Sequence, residues 1–201
     1  MRKSKIEAAE SRKRVLATAS DKFLREGINA TGISDVMVAA GLTQGGFYRH
    51  FRSKEHLIAE ASAAAFDDTM AEFEQAVSGK SPREAIAIIV HHYLFQLQAE
   101  DNNRLCPLST LSSELRHSND EVKAVILNGY SRLVKFLASF MMRLDVDDYL
   151  GLASSVVSIM VGAVSVSALA VEKDAANNIL TNAEKTIGQL IDSAARQARP
   201  A

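Results

Sequence analysis

The sequence predicts an all-α protein of about nine helices, on three observations. Apolar residues recur at i, i+3, i+4 and i+7 through most of the chain. No stretch alternates apolar and polar residues as a half-buried strand would. Only three prolines and ten glycines interrupt 201 residues rich in alanine and leucine. A content of 47% apolar and 23% charged residues supplies a packed core, not a disordered chain.

The elements follow in order. Val15, Leu16, Ala19 and Phe23 form a stripe flanked by Arg12, Lys13, Arg14, Lys22 and Arg25. Gly27 stands where such a helix ends in a left-handed residue. A short helix runs from about Ile33 to Ala40, with Thr31 or Gly32 as its N-cap. Gly41 breaks the chain, and Thr43 opens another short helix from Gln44 to about His50. Ser53 caps a long helix with Leu57, Ile58, Ala61, Phe66, Met70 and Phe73 inward, ending at Gly79. Ser81-Pro82-Arg83-Glu84 is a capping box with proline at N1, and it opens a helix over about 82–99. Pro107 opens a helix through Leu115, and Ser118 to Glu121 reads as a second capping box for a helix over about 120–144. Asp145 is positioned to cap the uncharged helix that follows, and a last amphipathic helix covers about 175–197.

Two short helices joined by Ala40-Gly41-Leu42-Thr43 have the dimensions of a helix-turn-helix. Leu42 and Phe47 are placed to plug the crevice between them, and Phe51 to fasten the unit to the first helix. The second helix then projects Gln44, Tyr48 and Arg49 outward. Gly45 and Gly46 each cost a helix about 1 kcal/mol relative to alanine. Their missing side chains let a backbone approach DNA closely, the alternative being a helical hairpin with a frayed end. Arginine pairs bidentately with guanine and glutamine with adenine, which suits Arg49 and Gln44 to base edges. Lys54, near a helix start, suits a phosphate. Charge agrees. Residues 1–52 carry ten Lys/Arg against five Asp/Glu, net +5, and the remainder thirteen against nineteen, net −6. A basic end on an acidic body fits contact with a polyanion.

The stretch AAGLTQGGFYRHFRSKEHLIAEA, residues 39–61, resembles the signature of the TetR family of bacterial regulators. The resemblance takes in VLATASDKFLREGINATGI before it. More weakly, it extends to LCPLSTLSSEL and SIMVGAVSVSALAV in the body. It implies a homodimer, a three-helix DNA-binding head and a helical body holding a small-molecule effector whose binding weakens operator binding. Carried over by position, it assigns Gln44 and Arg49 to base edges, and Thr43, Tyr48, His50 and Lys54 to phosphates. His50 has a packing role as its alternative. Where the family has a Thr or Ser pair at the start of the second helix, this chain has Gly32-Ile33, leaving Thr31 or Ser34 to replace that phosphate contact. The expected division is a helix-turn-helix domain over 8–54 and an effector-binding and dimerisation domain over 55–201.

The body offers fewer signals. Tyr93, Gln96, Ser109 and Tyr130 are candidate polar groups of an effector pocket, with Leu97, Phe140 and Met141 as walls. No charged residue falls on these inner stripes, which favours a largely apolar effector. The bland alternative is that all of them are core. Cys106, before Pro107, reads as a buried apolar residue, a reactive thiol at a helix start, or an effector contact. A single cysteine excludes an internal disulfide and, with no apolar leader after the basic N-terminus, suits a cytoplasmic protein. Residues 149–171 are uncharged and long enough to span a bilayer. Their five serines and acidic flanks favour a buried helix of a bundle and no membrane partner. Small residues there, Gly162, Ala163, Ser165 and Ser167, suit close helix packing in a two-fold dimer. His91-His92 are adjacent, about 100° apart on a helix, with no ligand at i+4, so no metal is expected. No cofactor loop and no nucleophile constellation is present, so no enzyme is expected.

Overall fold

A computed structural model of the chain describes residues 5–96 and 106–197, and all regular structure among them is helical. The α-helices are α1 (Lys5–Glu26), α2 (Ile33–Ala39), α3 (Lys54–Ala76), α4 (Pro82–His91), α5 (Pro107–Thr110), α6 (Ser112–Leu115), α7 (Asp120–Met142), α8 (Tyr149–Ser167) and α9 (Lys173–Gln197). Gln44–Arg49 is a 3₁₀ turn and His92–Gln96 a π-turn.

The fold class is as expected, and several details differ. Gln44–Arg49 winds as 3₁₀, with Gly46 N–H donating to Thr43 O at 3.0 Å and His50 N–H to Phe47 O at 2.8 Å. Six residues with two adjacent glycines have little propensity to hold a full α-turn. The expected 82–99 helix is α only to His91 and then widens to the π-turn, and its last residues lie outside the described ones. The 107–115 helix is broken at Leu111 into α5 and α6. The uncharged helix begins at Tyr149 under Asp148, whose carboxylate accepts from Gly151 N–H at 3.0 Å.

Asp145 serves a different end. Its φ of +58° places it just past α7, where its own N–H donates to Met142 O at 3.1 Å and that of Val146 to Met141 O at 3.3 Å. This is the left-handed helix stop that glycine usually occupies. Glycine has no Cβ to strain there, so Asp145→Gly should raise stability by about 0.5–1 kcal/mol in thermal melting. An unchanged or lower melting point would show that the aspartate side chain offsets the strain. At α7 the cap is Asn119, not Ser118, since Val122 N–H donates to Asn119 Oδ1 at 3.0 Å. At α4 the box forms as expected: Ser81 Oγ accepts from Glu84 N–H and Glu84 Oε2 accepts from Ser81 N–H. The hydroxyl and N–H of Ser81 hold the Glu84 carboxyl below its ordinary pKa.

The chain divides into two compact units. The first comprises 1–68 and 104–128, and the second 69–103 and 129–201. Helices α3 and α7 each contribute to both. The core of the first is built from Val15, Ala19 and Phe23 of α1, Val36 and Met37 of α2, Phe47, Phe51 and Leu57. Leu111, Leu115 and Val122, distant in sequence, complete it. In the second, Phe73, Ile86, Ile89, Tyr93, Leu137, Met141, Val157, Met160 and Ile187 are buried, and α8 and α9 pack along one another. Helix α8 is long and apolar enough to cross a bilayer, a test that a bundle's core helix also passes. Here one face, with Ala153, Val156, Val157, Met160 and Val164, is buried within the unit.

Candidate nucleic-acid interface

The three-helix head is assembled by turns whose chemistry is local. Helix α1 stops at Gly27, φ +89°, whose N–H donates to Phe23 O at 3.0 Å. Thr31 then turns its hydroxyl back onto Gly27 O at 2.7 Å and is buried. Gly32 is the N-cap of α2, and the Asp35 carboxylate returns to accept from Gly32 N–H at 3.0 Å. At the other end of α2, Gly41 sits at φ +74°. Its N–H donates to Val38 O and that of Leu42 to Met37 O, both at 2.9 Å. This double bond across a left-handed glycine sets the angle between α2 and the Gln44–Arg49 turn.

Phe47 is the plug, with no exposed surface. Its ring meets Phe51 at 5.6 Å and Tyr48 edge-on at 5.1 Å. Leu42 packs part-buried on the same core. Arg12 of α1 lies over the Phe51 ring, 5.0 Å from its centre, and pairs with Glu60, which His56 also meets at 2.9 Å. Phe51 therefore fastens the turn to α1, as the sequence implied, and also meets His56 of α3.

With Phe47 inward, the turn's other residues face out. Thr43, Gln44, Gly45, Tyr48 and Arg49 are exposed, Tyr48 to 76%. Gly46 is half-buried: a Cβ there would meet Met37 Cε at 3.7 Å, an ordinary contact. A Cβ on Gly45 would meet nothing within 4 Å, and its φ is not left-handed. Nothing inside the chain requires glycine at 45, which is compatible both with the close backbone approach expected from the sequence and with a frayed end. We expect Gly45→Ala to keep or raise the melting temperature, by up to about 1 kcal/mol. Affinity for specific DNA should fall about tenfold. Equal DNA affinity in the two proteins would remove the close-approach argument.

Two candidates are less free. His50 is half-buried with its ring 6.3 Å from Phe51. Lys54 is half-buried and Nζ donates to Ile28 O at 2.7 Å, which leaves its two other protons. Of the two replacements for the missing Thr or Ser, Thr31 is buried and committed to Gly27, while Ser34 is half-exposed.

Sequence reasoning missed the groups that hold the head from its far side in sequence. Glu114 of α6 accepts from Ile28 N–H at 3.3 Å and Asn29 N–H at 2.8 Å. The backbone of Ile28 is thus gripped at its C=O by Lys54 and at its N–H by Glu114. Arg52, 75% exposed at its side chain, pairs with Glu121 of α7 at 3.0 Å. Separations of 86, 85 and 69 residues put these pairs beyond any local pattern.

The effector candidates divide between the units. Cys106 and Ser109 belong to the first, where both are buried and Ser109 Oγ donates to Cys106 O at 3.1 Å. Tyr93, Tyr130, Phe140 and Met141 belong to the second, where Tyr130 hydroxyl meets Ser154 Oγ at 2.7 Å and the other three are buried. Gln96 closes the π-turn, and Leu97 lies outside the described residues. Beside the inner stripes, His92 at the start of the π-turn lies 3.5 Å from Glu72 of α3, both largely buried, with its ring edge-on to Phe73. His91 goes outward to Glu184 at 2.9 Å, so the adjacent histidines serve different carboxylates.

Residues 15–61 match the model for bacterial regulatory proteins of the tetR family. Over 107 residues the chain is 31% identical to the HTH-type transcriptional regulator AcrR of Shigella flexneri, covering 52% of this chain and 49% of that protein. Over 54 residues it is 41% identical to the HTH-type transcriptional repressor BepR of Brucella suis, covering 27% and 26%. The matches thus span about half the length of these relatives or less. In fold, the chain is similar to the reduced form of E. coli NemR, with a TM-score of 0.78 over 89% of this chain and 95% of that one, at 19% identity.

Proposed function

We propose that the chain belongs to the TetR family of bacterial regulatory proteins, and on that premise that it is a sequence-specific DNA-binding transcriptional regulator, a repressor that a small-molecule effector releases from its operator. The observation that carries this reading is the head: a buried Phe47 plug under an exposed Gln44, Gly45, Tyr48 and Arg49. The division of labour we propose keeps 8–54 as the DNA-binding domain and 55–201 as the effector-binding and dimerisation domain. DNA from upstream of the protein's own gene, in a mobility-shift assay, should be retarded in the presence of excess unrelated DNA. Retardation that unrelated DNA abolishes would leave only non-specific charge binding.

The effector site proposed is the interior of the second unit, near Tyr93, Phe140 and Met141. The largely buried Glu72–His92 pair supplies polar recognition there, so the effector is apolar with a hydrogen-bonding group. Release requires the ligand to favour one of two body arrangements, since equal affinity for both shifts nothing. Support for a route to the head comes from α3 and α7, which run through both units, and from Glu114 and Glu121, which hold the head's turns. The thiol of Cys106 is the second reading. It opens α5, eight residues before Glu114, so modification there would disturb the segment that grips Ile28 and Asn29. Electrophile-induced release of DNA by wild type but not by Cys106→Ser would favour this reading, and equal release would retire it.

The partner is a second copy of the chain. The outer stripe of α8, with Leu150, Ser155, Ser158, Gly162 and Val166, is exposed and uncharged, and Leu150 and Val166 are each at least 50% accessible. An uncharged face of this size in a two-fold contact buries itself twice. A Cβ at Gly162 meets nothing within 4 Å, so a side chain there leaves the monomer undisturbed. Gly162→Arg should therefore halve the mass by light scattering while the helical signal persists. A dimer of unchanged mass would place the interface elsewhere.

A further inference from the structure

Beside the regulatory reading, and independent of it, the second unit carries a feature that neither the head nor the dimer face explains. Helices α4 and α9 leave a groove of about 260 Å³ between them. Its floor is apolar, from Ile86 and Val90 on α4 and Ile187 and Ile191 on α9. Spacings of three and four residues on both helices align these side chains along the groove. From Glu184 to Asp192 the groove follows α9 for about 12 Å.

At one end stands the Arg83–Asp192 ion pair, which also lines a second, polar cavity of about 350 Å³. The two spaces therefore adjoin across one salt bridge. Arg143 and Arg196 line the polar cavity along with Asp145. Arg83 is matched by Asp192, but neither Arg143 nor Arg196 has a carboxylate within ion-pair distance among the described residues; Arg143 only lies 6.0 Å from the centre of the Phe140 ring. An apolar groove thus adjoins a cavity where three arginines, Arg83, Arg143 and Arg196, stand against two aspartates, Asp145 and Asp192, leaving a net positive lining.

Gly188 is the second, independent observation. It lies in the groove wall, midway along α9, where glycine costs about 1 kcal/mol relative to alanine. A Cβ there would meet nothing within 4 Å, and no left-handed φ calls for glycine. The chain's own packing gives no reason for it, whereas a chain lying in the groove does.

We propose that groove and cavity form one site for an anionic amphiphile: a medium-length unbranched alkyl chain bearing a carboxylate. The alkyl chain lies along Gly188 between the isoleucines, and the carboxylate reaches Arg143 and Arg196, which offer the planar donor fork that carboxylates accept. Charge selects the head group, and the apolar floor of Ile86, Val90, Ile187 and Ile191 takes the alkyl tail.

Calorimetric titration of the intact protein with decanoate, below its micellar concentration, tests this, with 1-decanol as the uncharged comparison. Wild type should bind decanoate at one site per chain. The double variant Arg143→Gln/Arg196→Gln should bind decanoate about tenfold more weakly, the loss expected for charge-assisted hydrogen bonds, and 1-decanol unchanged. Gly188→Leu fills the groove and should remove both ligands while keeping wild-type mass, melting and DNA binding. The arginine variant alters only exposed side chains, so it decides the matter even if Gly188→Leu does not fold. The proposal is overturned by absence of decanoate binding in wild type, or by equal affinity in wild type and the arginine variant. Binding that survives in folded Gly188→Leu would also overturn it by placing the ligand in another cavity. A changed mass for Gly188→Leu would overturn it too, by assigning the groove to a contact between copies.

Discussion

Phe47→Ala should cost the head about 3–5 kcal/mol, the range for deleting a fully buried aromatic side chain. Phe47 has no exposed surface, and its ring lies between Phe51 and Tyr48. The 3₁₀ turn that carries it has little stability of its own, with two glycines in six residues. What holds Gln44 and Arg49 in place is therefore this one side chain and its neighbours. Against a typical domain stability of about 5–15 kcal/mol, such a loss is a large share. Denaturant unfolding followed by circular dichroism should show the lower midpoint, and specific DNA binding should vanish. Phe47→Leu keeps more of the volume and should lose less on both counts. An alanine variant as stable as wild type would mean that the turn is held by something other than the plug.

Arg49→Ala should weaken binding to the specific site by about 1–3 kcal/mol and relax the preference at one base pair in each half-site. Its guanidinium is exposed at the end of the turn, so its loss leaves the head's core intact and takes away only the proposed base-edge contact. Gln44→Ala should act alike at a different base. Lys54→Ala is expected to behave differently. Its ammonium is anchored on Ile28 O and keeps two protons for the proposed phosphate contact. Affinity for all sequences should then fall together, and the slope of log affinity against log salt should become shallower by about one unit. A change of base preference in Lys54→Ala, with none in Arg49→Ala, would reverse the two assignments.

What the sequence displayed and what it concealed divide by distance along the chain. Gly27 and Gly41 were legible as helix stops, and Ser81 with Glu84 as a cap, because each depends on residues within five positions. The plug and the outward Gln44, Tyr48 and Arg49 were legible for the same reason. Close alternatives within one turn were not resolved: Asn119 caps where Ser118 was expected, and Asp148 where Asp145 was. In both places two polar residues with similar capping ability stand near each other, and tertiary packing selects between them. The 3₁₀ winding at 44–49 and the π-turn at 92–96 change the register of a helix without changing its apolar pattern. Glu121 read only as part of a capping box and Glu114 had no assigned role, since their partners are 69 to 86 residues away. For the same reason the sequence did not reveal that 104–128 joins the N-terminal unit. Glycine at 45, 162 and 188 was visible in the sequence, but only the structure reveals that each faces open space.

The central claim is that this head reads DNA in a two-fold arrangement. Nuclease footprinting of the intact protein on its upstream DNA tests that most directly. Two protected half-sites should appear, related by a two-fold axis and spaced by about 34–36 Å or a multiple of it, and both should fade in Arg49→Ala. Protection that covers the fragment uniformly, or a specific footprint that Arg49→Ala leaves unchanged, would contradict the account.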